Sequence, residues 1–71
     1  MHRYLIIIEA TSTGHSAYSP DLPGCVAAGA SQADVERVMR EAIALHLEGL
    51  RDAGLPIPVG ATSAAYVEVA A

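Results

Sequence analysis

One long amphipathic stretch limits what this chain can become. From Ser31 to Ala53, residues placed at 100° intervals separate into two arcs. Val35, Val38, Met39, Ala42, Ile43, Leu45, His46, Gly49 and Leu50 share one arc, and Glu36, Arg37, Arg40, Glu41, Glu48, Arg51 and Asp52 share the other, with Leu47 the one apolar residue on the charged side. Ser31 with Asp34 three positions on forms an N-terminal capping pattern, and Gly54 followed by Pro56 and Pro58 forms a stop. Glu36 and Arg40 are spaced for an i,i+4 pair on the wet face. Gly49 costs about 1 kcal/mol against Ala inside a helix, and its place on the apolar arc suggests close approach of helix to sheet. A single helix about 34 Å long can shield only one face of a sheet.

The rest of the chain reads as strands. Residues 3–10 hold a β-branched run, Leu5-Ile-Ile-Ile8, whose two faces are both mostly apolar, as expected of a central strand. Thr11 to Gly14 is a hairpin connection, residues 16–19 a short second strand stopped by Pro20, and residues 25–28 a third closed by Gly29. After the helix, residues 63–69 alternate Ala65, Val67 and Val69 against Tyr66 and Glu68, the pattern of a fourth strand with one wet face. The expected fold is α+β, with element order β-β-β-α-β. Its mainly antiparallel four-stranded sheet would have strand order 3-2-1-4 and one long helix on one face. The other face, with an apolar first strand, is expected to pack on a second copy or on another protein.

Size points the same way. Folding a chain of 71 residues hides only about 60% of the surface the open chain exposes, and domains this small usually gain stability from a disulfide, a metal or a partner. Cys25 is the sole cysteine, so neither an internal disulfide nor a zinc motif of ordinary spacing is available, and no cofactor or metal is expected. The apolar N-terminal run is too short for a signal peptide and no segment has membrane-spanning length, so the expectation is a cytoplasmic protein. Four Arg and no Lys face eight acidic residues, a net charge of −4, which argues against direct nucleic-acid binding and suits a basic protein partner.

Between Tyr18 and Cys25 the chain reads Tyr-Ser-Pro-Asp-Leu-Pro-Gly-Cys, a turn stiffened by Pro20 and Pro23 with Gly24 free to supply a positive φ. That run continues to Gly29; Glu41-Ala-Ile43, His46-Leu-Glu48 and Leu50 follow, then Gly54-Leu-Pro-Ile-Pro58. In this order and spacing the chain resembles the HicB-like antitoxin family over nearly its whole length. The resemblance implies residues 1–71 as a single HicB-like domain of degraded ribonuclease H type, without catalytic carboxylates. It implies an antitoxin that covers the active site of a small basic HicA-like ribonuclease toxin. Longer members carry a DNA-binding region; none is expected within these residues. The alternative is a free-standing homo-oligomeric scaffold or regulatory module.

The residues offer little chemistry of their own. Glu9, Asp21 and Glu68 are the only acids on strands or turns, fewer than a two-metal nuclease assembles, and no enzymatic activity is expected. Asp21 reads either as a cap for nearby turn amides or as a partner contact. His46, on the apolar arc, calls for a carbonyl partner if buried, and Cys25 reads as a small buried apolar group. The expected partner-binding residues are Tyr18, Asp21, Leu22, Pro23 and Gly24.

Overall fold

A computed structural model describes residues 2–71. Three strands, β1 (Ile7–Ala10), β2 (His15–Tyr18) and β3 (Val26–Gly29), form an antiparallel sheet in the order β1-β2-β3, and one helix, α1 (Gln32–Asp52), packs across it. The β1–β2 hairpin closes through Thr11, whose amide donates to the Gly14 carbonyl at 2.8 Å and whose hydroxyl accepts from the Gly14 amide at 3.1 Å. Register pairs Ile8 with Ala17 and Ala17 with Ala27, so those three side chains share the face beneath α1. Ile7, Tyr18 and Val26 pair likewise on the opposite face.

Both helix ends follow the pattern in the sequence. The Ser31 hydroxyl, at φ −134° and ψ 167°, accepts from the Asp34 amide at 3.1 Å. At the other end Leu55 donates to the Leu50 carbonyl and Gly54 to that of Arg51, a Schellman stop with Gly54 at φ 71°. The helix is rolled relative to the expected arc. Val35 and Met39 are buried and Leu47 packs against the core, whereas Leu45 is 70% exposed. Gly49 is exposed with open space around its Cβ position, so helix-to-sheet approach is not the reason for it. The roll follows from where the apolar partners lie. α1 sits over β2 and β3, and its Met39 and Ile43 border a groove with Tyr4 and Ile6 of the segment before β1. Leu45 overhangs the β3 edge, which has no neighbouring strand. The i,i+4 pair that forms is Arg37–Glu41 at 3.6 Å, on the outer face; Glu36 and Arg40 turn toward residues 2–6 instead.

The expected fourth strand is absent: residues 63–71 make no ladder with the sheet, and the strand order 3-2-1-4 is corrected to β1-β2-β3 among the described residues. Tyr66, Val67 and Val69 are 105%, 80% and 80% exposed. The alternation is there, but no strand edge of the same chain meets it. β1 is also shorter than residues 3–10, because β2 ends at Tyr18 ahead of Pro20 and offers no partner beyond Ile7.

Candidate partner-binding surface

The two-proline segment is a double turn. The Leu22 amide donates to the Ser19 carbonyl at 3.2 Å, and the Cys25 amide donates to the Leu22 carbonyl at 3.0 Å. Each turn therefore carries a proline in its second position, where a fixed φ is already correct. Gly24, at φ 84°, fills the third position of the second turn, as type II geometry demands; Asp21, without positive φ, suits type I in the first. The Ser19 amide donates to the Cys25 carbonyl at 3.3 Å across the base, and the buried Ser19 hydroxyl donates to the Leu5 carbonyl at 3.0 Å. Few bonds are left to rotate.

Leu22 is the plug of this turn. Its side chain is fully buried with Val35 and Met39, so the expectation that it touches a partner is corrected: a side chain with no exposed surface holds the turn to the core. Cys25 lies beside it at 5% exposure, and burial pushes its thiol up from the ordinary value, the reverse of what a nucleophile needs. The surface of the turn belongs to Pro20, Asp21, Pro23 and Gly24.

Asp21 neither caps its own turn nor stands free. Its carboxylate accepts from the Thr62 hydroxyl at 2.8 Å and from the Thr62 amide at 3.1 Å, a clasp across 41 positions of sequence. These hydrogen bonds hold the carboxyl below its ordinary value. Nothing in the local sequence marks Thr62 as its partner, since the contact depends on the path of the chain after α1.

Tyr18, 41% exposed, sits at the base of the turn on the sheet face away from the helix, flanked by Ile7 and by Val26 at 65% exposure. That face is thus apolar at one end, while its other row is Glu9, Ser16 and Ala28. Around the corner, Gly24, Cys25, Val26, Ala42, Leu45 and His46 line a depression of about 220 Å³. His46 is half-buried there without the carbonyl partner expected of it, and the buried ring nitrogen without a hydrogen bond is Nδ1 of His15. Val26 and Leu45 were missed as surface residues because each carries the pattern of a core position. Among the described residues no three His, Cys, Asp or Glu side chains gather as a metal site, and no helix is long and apolar enough to cross a membrane.

The model of the HicB-like antitoxins of bacterial toxin-antitoxin systems matches residues 4–70, which hold the proline turn, the three strands and the helix. The chain belongs to the HicB-like antitoxin family. Among solved structures it is similar to a chain of the HicA3 and HicB3 toxin-antitoxin complex, at 38% identity and a TM-score of 0.70, over 84% of this chain and 70% of that one. It is similar also to the antitoxin HicB3, at 38% identity and a TM-score of 0.71, over 84% of this chain and 44% of that one. A curated relative is a 14.9 kDa protein from the rep-hol intergenic region of Haemophilus phage HP1, 34% identical over 55 residues. This HicB-like chain spans 41% of that relative's length. The three-stranded sheet and single helix agree with the HicB3 likeness.

Proposed function

We propose that this HicB-like chain binds and neutralises a small basic HicA-like toxin, and that the contact surface is the double turn with the exposed row at its base. The observation that carries the reading is structural likeness at 38% identity to a chain of a toxin-antitoxin complex. The surface suits the role. Tyr18 and Val26 give apolar area on a rigid support, Pro23 and Gly24 project with little freedom to lose, and a net charge of −4 favours encounter with a basic partner. Tyr18, Asp21, Pro23 and Gly24 keep their place in the interface; Leu22 acts through the turn's shape.

The role is binding rather than catalysis. Glu9, Asp21 and Glu68 lie on the outer sheet face, in the turn and in the exposed C-terminal segment, so the three acids do not form one cluster. We read residues 1–71 as a single HicB-like domain of degraded ribonuclease H type that acts in the cytoplasm by binding.

The test is binding of the purified chain to a HicA-family toxin by calorimetry, paired with rescue of toxin-arrested growth. Truncating a buried aromatic anchor costs on the order of 2 kcal/mol, about 30-fold in affinity. Tyr18→Ala with Val26→Asp is expected to weaken binding by at least that factor with the fold intact. Unchanged affinity would move the interface elsewhere, and no binding by the unaltered chain would remove the reading.

A further inference from the structure

The segment after Thr62 has a strand's sequence and no sheet. Ala65, Val67 and Val69 alternate with Tyr66 and Glu68, the backbone carries no ladder, and the large side chains stand in solvent. Such a run is an unfilled half of a strand pair. The other half is present in the same fold. β1 is an edge strand of the three-stranded sheet, so its outer row of backbone groups has no partner within it. Beside its N-terminal end a groove of about 400 Å³ opens between residues 2–6 and the helix, with Ile6, Met39 and Ile43 as its apolar part and Arg3 and Arg40 beside Glu36 at its rim.

The chain's own tail does not reach that edge, for a reason visible in its path. Tyr4 donates its hydroxyl to the Pro58 carbonyl at 2.6 Å. Gly60 lies so close to Arg3 that a Cβ there would overlap the Arg3 carbonyl oxygen. Thr62 is clasped by Asp21, in the turn beyond β2. As the tail advances from 58 to 60 its contacts step backward from Tyr4 to Arg3, away from Ile7–Ala10, and the clasp then holds it at the turn end of the sheet. Lying along its own β1 would require a reversal within a few residues and loss of the clasp. A second copy presents the same edge and the same tail, and exchange between two copies satisfies both under one two-fold axis.

We propose that two copies of this chain exchange residues 63–71, each tail adding as a fourth strand to the β1 edge of the other and laying its alternate side chains toward the groove lined by Ile6, Met39 and Ile43. Nine residues at about 3.3 Å each reach roughly 30 Å, enough to span β1 with Leu5 and Ile6 ahead of it. The single charged side chain of the tail, Glu68, is opposite in sign to Arg3 and Arg40. Strand addition uses backbone hydrogen bonds for affinity and alternate side-chain contacts for specificity, and this tail and edge supply both. The sheet edge used here is distinct from the turn and the outer row assigned to the toxin.

Sedimentation equilibrium of the full chain, with Val67→Asp/Val69→Asp as the variant, tests the exchange. The expected result is a dimer that the double substitution converts to monomer with at least a 30-fold weaker self-association, while helix content by circular dichroism stays unchanged. Mixed samples of two differently labelled copies are expected to show intermolecular NOEs between residues 65–69 and residues 5–10. A monomer at millimolar concentration, a dimer indifferent to the substitutions, or NOEs confined to one copy would each overturn the proposal. So would a tail that orders only when a HicA-family toxin is added. Tyr18→Ala with Val26→Asp is expected to leave the dimer unchanged, which separates failure here from failure of the toxin reading.

Discussion

Residues 7–54 and residues 55–71 obey the same rules of patterning and reach different ends. In the first region every element meets its complement within a few residues: β1 turns at Gly14 onto β2, β2 turns at two prolines onto β3, and α1 lays its stripe back on β2 and β3. In the second, an equally regular alternation is held at three points, by Tyr4, Arg3 and Asp21, and otherwise left in solvent. Periodicity states which face wants cover, and an element forms only where cover is within reach.

Stability should divide along the same line, which gives the sharpest way to break the comparison. Leu22→Ala removes a fully buried side chain that joins the double turn to Val35 and Met39, and is expected to cost about 2–5 kcal/mol in urea denaturation. A domain of this size holds about 5 kcal/mol in all, so the variant is expected to keep about 0–3 kcal/mol and to melt at a clearly lower temperature. Val67→Ala, at an exposed tail position, is expected to change the stability of the dilute monomer by less than about 0.5 kcal/mol. Comparable losses at the two positions would mean that the tail belongs to the core.

How much could be read beforehand differs by region in the same way. Ser31 and Gly54 were legible as helix ends because capping and the left-handed stop involve neighbours in sequence. The turn was legible because Pro20, Pro23 and Gly24 encode their own dihedral angles. The roll of α1 was not, since whether Leu45 or Leu47 is covered depends on which helix face meets the core and which overhangs the open β3 edge. Leu22 looked like a surface residue because turns are polar on average, and its burial comes from α1, ten residues further on. The Asp21–Thr62 clasp joins positions 41 apart, and no local pattern announces it.

Two smaller effects sharpen the boundary between the regions. Gly24→Ala places a Cβ at φ 84° in open space, so its cost is backbone strain without a clash, about 1–2 kcal/mol, and it should appear as loss of order in residues 19–25 with α1 intact. Gly60→Ala meets the Arg3 carbonyl instead, and overpacking of this kind costs about 1–3 kcal/mol where the structure resists. Here the tail is expected to peel away, so the measured loss should sit at the low end. Amide exchange at residues 57–62 should rise while the sheet stays protected. Exchange rising across β1–β3 as well would show that the tail and the sheet open together.

The smallest expected effect is the acid lability of the clasp, and its sign follows from the hydrogen bonds. Thr62 donates twice to the Asp21 carboxylate and thereby favours the charged form, so the carboxyl is held below its ordinary value of 3.8 when the tail is docked and returns toward it when the tail is free. A lowered value in the docked state means that docking is favoured fully above the ordinary value and loses that support as pH falls through the docked one. Backbone relaxation at Thr62 should therefore report a rigid tail anchor from pH 7 down to about 4 and a looser one below the docked value, with β1–β3 unaffected. Asp21→Asn keeps an acceptor and removes the titration, so its anchor is expected to be weaker than the parent's at neutral pH and flat on acidification. An anchor as pH-dependent in Asp21→Asn as in the parent would place the sensitivity in another group and leave the clasp a neutral contact.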